Sequence, residues 1–204
     1  MLAIVNYGLG NIQAIANIYK RLDIPVQMAE SSHDLFAAHK IILPGVGAFD
    51  WAMTRLNESG MRDVLDELVL KRHTPVLGIC VGMQMMTEGS DEGSLEGLGW
   101  IGGRTKRFDD AALSGQTRLP HMGWNTVSPV HASCIFKGLG GEPRYYFLHS
   151  YYVEPSRSSA VLAKTVYGIE FASSVNDANV YGVQFHPEKS HQWGIQLLKN
   201  FAQL

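Results

Sequence analysis

The sequence predicts an α/β protein built in three layers, with a mostly parallel central sheet that carries helices on both faces. Two observations support this prediction. Up to Trp100, strand-like apolar runs alternate with segments of helical periodicity, which is typical of a parallel sheet covered on both sides. After Trp100, short β-rich runs follow one another between Gly, Pro, Asn and Ser, which indicates antiparallel additions in the C-terminal half.

The alternation of strands and helices begins at the N-terminus. An apolar strand ends in a glycine-bearing turn, and apolar residues then recur at helical spacing from Ile12 to Leu22. The third strand is expected to stop at Pro44, and the helical segment after it to break near Ser59 and Gly60. The predicted elements of this half span residues 2–7, 12–22, 24–29, 31–39, 40–43, 51–72, 74–79 and 83–89.

The C-terminal half contains β-rich runs and one closing helix. These segments span residues 99–108, 125–130, 145–153, 161–168, 170–177, 180–185 and, for the helix, 194–204. The sequence contains no repeat, low-complexity tract or linker, so residues 1–204 are expected to form one domain.

Composition argues against several classes of function. A formal net charge of −2 and a pI near 6.4 give no electrostatic reason to expect nucleic acid or an anionic membrane as a partner. No apolar run is long enough for a bilayer, and the N-terminus lacks the marks of a signal peptide. Two cysteines do not make a disulfide framework, so a reducing cytoplasm is expected. The histidines show no ligand-like clustering, and we predict neither a metal site nor a cofactor.

A glycine-flanked cysteine lies where the fourth strand gives way to a helix. Gly78, Cys80 and Gly82 form the pattern Gly-x-Cys-x-Gly, which is the nucleophile-elbow pattern of esterases with cysteine in place of serine. On such a turn the thiol would project from the carboxyl end of a strand and face the start of a helix, which favours the thiolate. The motif alone is also compatible with a buried structural cysteine, because free cysteine is among the most buried residue types.

A second motif supplies a candidate base. His186 follows a β-run and precedes Pro187, and Glu188 is close enough to orient its imidazole. The turn 44–47, at the end of the preceding strand, offers main-chain N–H groups for an oxyanion, and the N–H of Val81 offers another. Together these features predict acyl transfer to a thiol.

The same stretches resemble a known family. "GICVGMQ", "FHPEKS" and "LPGVGAF" are similar to the motifs of class I (triad-type) glutamine amidotransferases. "NYGLGNIQAI", "LPHMGWN" and "YYFLHSYYV" are similar, within that class, to the glutaminase subunits of imidazole glycerol phosphate synthases. The resemblance runs from the first strand to "LLKNF", so it covers essentially the whole chain and implies the three-layer fold of the class.

The resemblance implies roles for individual residues. Cys80 would attack the side-chain amide of glutamine, assisted by His186 and Glu188, and water would release glutamate from the resulting thioester. Oxyanion donors would lie at Val46 or Gly47 and at Val81. Glutamine contacts are implied at Gly47, Gln84, Glu92, His149, Ser150 and Tyr151.

A partner is also implied, because a free glutaminase would waste glutamine. In the family, a separate (β/α)₈-barrel cyclase receives the ammonia through a channel and forms imidazole glycerol phosphate and AICAR in L-histidine biosynthesis. The pair is a heterodimer. We expect weak activity without the cyclase and stimulation by it, through rearrangement of the turn 44–47. The positions that would face the partner are Asn11, Trp124, Tyr146 and Lys189. Trp124 is expected in a glycine-flanked turn.

Three alternatives stay open on the sequence alone. The segments 93–108 and 189–201 resemble a paralogous branch whose ammonia serves the amidation of surface-polysaccharide sugars. A cysteine hydrolase or peptidase on the same fold would use the same elbow without a partner. A non-catalytic binding subunit is disfavoured, because all three triad positions are occupied.

Overall fold

A mostly parallel β-sheet forms the central layer of the protein, in a computed structural model that describes residues 1–109 and 118–204. The described strands are β1 (Leu2–Val5), β2 (Val26–Ala29), β3 (Lys40–Gly45), β4 (Val76–Cys80), β5 (Gly103–Arg107), β6 (His121–Thr126), β7 (Ser128–Pro129), β8 (Arg144–His149), β9 (Tyr151–Pro155), β10 (Val161–Tyr167), β11 (Ile169–Asp177) and β12 (Val180–Val183). The α-helices are α1 (Ile12–Arg21), α2 (Ser32–Leu35), α3 (Phe49–Glu58), α4 (Arg62–Asp66), α5 (Val81–Met85) and α6 (His191–Ala202). A π-helical turn at Glu67–Lys71 and 3₁₀ turns at Cys134–Phe136, Ser158–Ala160 and Pro187–Lys189 are also present.

The sheet combines a parallel centre with antiparallel additions. Its parallel strands have the order β2-β1-β3-β4-β12, and β11, β10 and β7 extend it in antiparallel fashion. β9 and β5 branch from β11, while β6 and β8 form a separate antiparallel pair. Every residue of β1 and β4 is buried, as expected for strands covered on both faces. The prediction of a three-layer α/β fold is therefore confirmed.

The helices cover the sheet with the faces that their sequences predict. α1 buries Ile12, Ile15, Ile18 and Tyr19, which recur at helical spacing on one side. The Tyr19 hydroxyl donates a hydrogen bond of 3.0 Å to the carbonyl of Leu198, which joins α1 to α6. No helix among the described residues is long and apolar enough to cross a membrane.

Several helix ends differ from the predicted ones, and the predicted run 145–153 is split into β8 and β9. Three further differences concern Pro44, His186 and Trp124. β3 continues through Pro44 to Gly45, because the fixed φ of proline suits an extended strand and its carbonyl accepts a 2.7 Å hydrogen bond from the Tyr7 hydroxyl. β12 ends at Val183, short of the predicted strand end at His186. Trp124 lies inside β6 and not in a turn, since Gly123 at φ 123° is absorbed into the strand pairing with β8.

The topology brings the candidate residues to one edge of the sheet. β3, β4 and β12 are parallel neighbours, so their carboxyl ends meet. Gly45 pairs directly with Cys80, and the chain reaches His186 three residues after the end of β12. Ligands of open α/β sheets bind at this edge.

Candidate active site

Cys80 occupies a strained turn between β4 and α5. Its backbone has φ 56° and ψ −115°, and α5 begins at the next residue. A positive φ is uncommon for a residue with a side chain and costs ~1–3 kcal/mol, so it persists only where the surroundings impose it. The strand-to-helix turn predicted from the glycine pattern is present.

The glycines around Cys80 allow three backbone segments to meet. A Cβ atom at Gly82 would lie 1.9 Å from the carbonyl oxygen of Leu43, and one at Gly78 would lie 2.8 Å from backbone atoms of Met83. Gly45, which the sequence analysis did not single out, is under the same constraint, since its Cβ would lie 2.4 Å from the nitrogen of Gly82. The turn therefore requires glycine at these positions because of close approach between β3, β4 and α5.

His186 and Glu188 form the second part of the site. Nδ1–H of His186 donates a 2.8 Å hydrogen bond to Oε1 of Glu188, and His186 lines the same cleft as Cys80. The main-chain N–H of His186 donates to the carbonyl of Tyr146 at 2.9 Å. This isolated bridge to β8 holds His186 in place where the strand β12 has already ended.

The charge states of this pair follow from its contacts. Burial lowers the pKa of His186, but its hydrogen bonds to Cys80 and Glu188, with their charges, outweigh this effect and raise the pKa to about 10. Burial raises the pKa of Glu188, whereas the hydrogen bond and charge of His186 and a hydrogen bond from Asn11 lower it, with a net decrease. At neutral pH His186 is thus an imidazolium beside Cys80.

The Glu188 carboxylate is held on one oxygen only. Oε1 accepts the bond from His186 and a second one of 2.7 Å from Nδ2 of Asn11. Oε2 is buried without a hydrogen-bond partner. Asn11, expected at a partner interface, thus also contacts the acid of the predicted triad.

A cleft of about 330 Å³ opens beside the thiol, at the lower end of the size range of small-ligand sites. Most of the predicted site residues line it, namely Asn11, Val46, Gly47, Cys80, Val81, Gln84, Glu92, His149, Ser150, Tyr151, His186 and Lys189. Glu188 lies behind His186, and Trp124 and Tyr146 lie outside the lining. Pro120 and Leu148 line the cleft without having been predicted.

Val46 and Val81 lie side by side at the cleft. The register of β3 with β4 pairs Gly45 with Cys80. Val46 and Val81, which follow these two residues, therefore lie at neighbouring strand ends. Gly47 has φ 85°, a conformation that glycine adopts without strain. Main-chain N–H groups next to a nucleophile are the usual donors to an oxyanion.

The buried side-chain amides of Gln84 and Gln184 form a hydrogen-bonded chain that ends at the Cys80 thiol. Nε2 of Gln84 donates to the carbonyl of Tyr151 at 3.2 Å and to Oε1 of Gln184 at 3.1 Å. Nε2 of Gln184 in turn donates to Sγ of Cys80 at 3.8 Å. Gln84 is buried and is not a solvated helix residue. The sequence analysis missed Gln184, although its position two residues before His186 predicts the same side of an extended chain.

His149 is engaged by protein groups at both ring nitrogens. Nδ1–H donates to the carbonyl of Tyr151 at 2.7 Å, and Nε2 accepts from Nδ1–H of His121 at 2.9 Å in the tautomer that this network requires. Nδ2 of Asn125 donates to Nε2 of His121 at 3.2 Å. Burial lowers the pKa of His121 to about 4, and burial together with His121 lowers the pKa of His149 to about 3. Both rings are neutral at pH 7, and the His149 ring supports the cleft wall.

The predicted partner residues form a patch next to the cleft. Trp124 is 39% exposed and stacks on His191 with ring centroids 5.2 Å apart, so it is not a core residue. Tyr146 lies opposite Trp124 across β6 and β8, and Nζ of Lys189 is 5.6 Å from its ring centroid. Met122 and Leu148 add exposed apolar surface. Exposed aromatic and apolar side chains of this kind are enriched at interfaces.

Among the described residues, no group of three or more His, Cys, Asp or Glu side chains could hold a metal ion. The titratable groups of the cleft pair instead with one another and with amides. The arrangement is that of a thiol nucleophile, an oriented imidazolium and main-chain donors, which suits attack on a carbonyl carbon.

The chain is similar to known proteins over its whole length. Residues 3–204 match a family model described as glutamine amidotransferase class-I. The chain is 58% identical to imidazole glycerol phosphate synthase subunit HisH of Bdellovibrio bacteriovorus and 46% identical to the protein of that name from Leptospira borgpetersenii, in each case over 100% of both chains. A solved structure described as a glutamine amidotransferase has a TM-score of 0.76 at 17% identity and covers 100% of this chain and 99% of its own. At that identity the likeness concerns the fold alone.

Proposed function

The chain belongs to the glutamine amidotransferase class-I family, in its HisH branch, and from this premise we propose that it is the glutaminase subunit of an imidazole glycerol phosphate synthase. It hydrolyses the side-chain amide of glutamine to glutamate and ammonia. The observation that carries the proposal is Cys80 at φ 56° on the same cleft as His186, whose imidazole Glu188 orients from behind at 2.8 Å.

The first half of the reaction forms a thioester. The Cys80 thiolate attacks the amide carbon, and the N–H groups of Val46 or Gly47 and of Val81 stabilise the oxyanion. The His186 imidazolium donates its proton to the departing nitrogen, so the C–N bond breaks and ammonia leaves. The products of this half are a glutamyl thioester on Cys80 and a neutral His186, whose pKa Glu188 keeps high.

The second half releases glutamate. Neutral His186 removes a proton from water, the hydroxide oxygen bonds to the thioester carbon, and the C–S bond breaks to restore the thiolate and the imidazolium. Gln84, Glu92, His149, Ser150 and Tyr151 bind glutamine, and Glu92 is the carboxylate among the residues that line the cleft. It is therefore the group of this set suited to the α-ammonium of the substrate.

Ammonia passes to a separate cyclase subunit with a (β/α)₈ barrel, which uses it in histidine biosynthesis. Support comes from the exposed patch of Trp124, Tyr146 and Lys189 beside the cleft, and from Asn11, which links that side of the molecule to Glu188. The heterodimer works in the cytoplasm, where the free thiols of Cys80 and Cys134 persist. We take residues 1–204 as one amidotransferase domain.

Replacing the thiol tests the proposal. Cys80→Ala should lower the rate of glutamate release at least about 10³-fold, because no other group of the site can form the thioester. Cys134→Ala is the matched control, since Cys134 is exposed and distant from the cleft lining, and it should keep wild-type activity.

The measurement is glutamate release by both variants, with their thermal unfolding followed in parallel. A folded Cys80→Ala protein that still releases glutamate at the wild-type rate would contradict the mechanism. Cleavage of peptides without glutaminase activity would favour a cysteine peptidase instead.

A further inference from the structure

Asp50, in the first turn of α3, binds a segment that is distant in the sequence. Its Oδ2 accepts hydrogen bonds from the main-chain N–H of Ser94 at 2.9 Å and from the Ser94 hydroxyl at 3.3 Å. Its Oδ1 accepts a 3.0 Å bond from the N–H of Leu95. One carboxylate thus satisfies two main-chain donors and a hydroxyl of the loop 91–95.

A second carboxylate joins the same two segments in the opposite direction. Oε2 of Glu92 accepts a 2.8 Å hydrogen bond from the N–H of Phe49, the first residue of α3. The main-chain N–H of Glu92 donates a 3.0 Å hydrogen bond to the Ser90 hydroxyl. The bond from Phe49 leaves Oε1 of Glu92 as the oxygen with which it would accept an ammonium.

The loop packs directly onto Asp50. A Cβ atom at Gly93 would lie 1.9 Å from Oδ1 of Asp50, so only glycine lets the chain approach the carboxylate this closely. The main-chain bond from Ser94 lowers the pKa of Asp50, burial opposes it, and the bonds from Leu95 and the Ser94 hydroxyl lower it further, so that the net shift is downward. Asp50 is therefore ionised at neutral pH, and its bonds to the loop are charge-assisted.

We propose that Asp50 is a positioning residue for glutamine, which clamps the loop 91–95 onto α3 and thereby holds the Glu92 carboxylate in the cleft. This inference rests on the proposed glutaminase function. The clamp also attaches the loop to α3, which begins two residues after Gly47, so α3 joins the segment of the oxyanion donors to the Glu92 carboxylate. Asp50 contacts neither Cys80 nor His186, and so it acts on binding and not on the chemical step.

KM and kcat of Asp50 variants distinguish a positioning role of Asp50 from a general loss of stability. Asp50→Ala frees the loop and raises KM for glutamine about tenfold, the effect of losing about one charge-assisted hydrogen bond, while kcat stays within about twofold. Asp50→Asn keeps one acceptor oxygen and should show an intermediate KM. Gly93→Ala disturbs the clamp from the loop side and should raise KM although Asp50 is present.

A substrate analogue that lacks the α-ammonium tests whether Asp50 acts through Glu92. 4-Carbamoylbutanoate has the amide of glutamine but lacks the α-ammonium, so Glu92 has no charge to bind. Wild type and Asp50→Ala should hydrolyse it with equal kcat/KM. A purely structural effect of the substitution would instead lower activity toward both substrates.

Asp34 provides a matched control. It also lies in the first turn of a helix, α2, and accepts two main-chain N–H groups and one hydroxyl, those of Glu30 and Ser31, at 2.8–3.0 Å. It lies outside the cleft lining, so Asp34→Ala should lower the melting temperature and leave KM for glutamine unchanged.

Steady-state kinetics with both substrates, together with thermal unfolding of all variants, test whether Asp50 is a positioning residue. A raised KM in Asp50→Ala and Gly93→Ala, absent in Asp34→Ala, supports the inference. An active wild type with an unchanged KM in Asp50→Ala and Gly93→Ala overturns the inference alone. A folded wild type that releases no glutamate overturns the proposed function and this inference with it.

Discussion

The protonation of His186 is the property of a single residue on which the chemistry depends. Its imidazole is 3% exposed, which by itself would favour the neutral ring. The contacts with Cys80 and Glu188 outweigh burial and raise its pKa from 6.5 to about 10. His186 therefore holds a proton next to the Cys80 thiol, from where it can be donated to the departing amide nitrogen.

This shift predicts how the stability of the fold depends on pH. Because the pKa of His186 is higher in the folded than in the unfolded state, the folded state binds more protons between pH 6.5 and about 10. The contribution of His186 is fully present below pH 6.5 and declines as the pH rises through that window. The free energy of unfolding of wild type minus that of His186→Asn should therefore shrink from pH 6.5 to pH 10. A difference that stays constant or grows would contradict the assigned protonation.

At the residue scale, the sequence predicted the nucleophile, the base and the acid but not their supports. Cys80, His186 and Glu188 were found because their neighbours form short local patterns. Gln184, His121 and Asp50 were missed, since each acts through a contact with a residue far away in the chain. No local pattern encodes such a contact.

The turn between β4 and α5 is the element on which the site is built. Its geometry depends on β3 passing close to the first turn of α5, where the carbonyl of Leu43 fills the space that a side chain at Gly82 would need. The positive φ of Cys80 and the packing at Gly78 belong to the same arrangement.

Substitution of Gly82 tests this geometry. Gly82→Ala should destabilise the protein by ~1–3 kcal/mol, as overpacking does in a filled core, and should lower glutamate release more than about tenfold because Cys80 moves. Gly140→Ala is the control, since a Cβ there meets nothing within 4 Å and its φ is not positive. Denaturant unfolding and glutaminase assays measure both effects, and full activity in Gly82→Ala would count against a strained elbow.

At the element scale, strand and helix positions followed from periodicity, while their ends did not. β3 runs on through Pro44, and β12 stops before His186. In both cases a neighbour decides the boundary. The Tyr7 hydroxyl and the register with β4 hold Pro44 in the sheet, and a bridge from Tyr146 takes over at His186.

For the whole molecule, the exposed patch around Trp124 is the surface that we propose for binding the partner. Trp124 and Tyr146 lie on the two-stranded sheet β6–β8, and Leu148 and His149 of β8 line the cleft. Asn125 and His121 of β6 are joined by hydrogen bonds to His149 and so to the carbonyl of Tyr151. A partner that binds this sheet would therefore contact the strands that carry His149 in the wall of the glutamine cleft.

Trp124→Ala should weaken binding of the cyclase subunit about 30-fold, corresponding to ~2 kcal/mol for an aromatic anchor, and reduce its stimulation of glutaminase activity. Activity without the partner should stay within about twofold of wild type. Phe36→Ala, an aromatic residue 53% exposed beside the β2 edge, is the control and should change neither property. Glutamate release with and without the cyclase measures the effect. Equal wild-type rates in the two conditions would contradict regulation by the partner.

The sequence by itself determined the fold class and the chemistry of the nucleophile. Alternation of apolar strands with amphipathic helices requires a parallel sheet, and the Gly-x-Cys-x-Gly and His-Pro-Glu patterns each lie within a few residues, where local geometry decides their role. The tertiary structure alone decided how these patterns meet. Only the register of β3 with β4 sets Val46 beside Val81, and only the packing of α3 on the loop 91–95 brings Asp50 to Glu92's segment. Contacts between segments more than 30 residues apart depend on chain folding, and no local rule of sequence contains them.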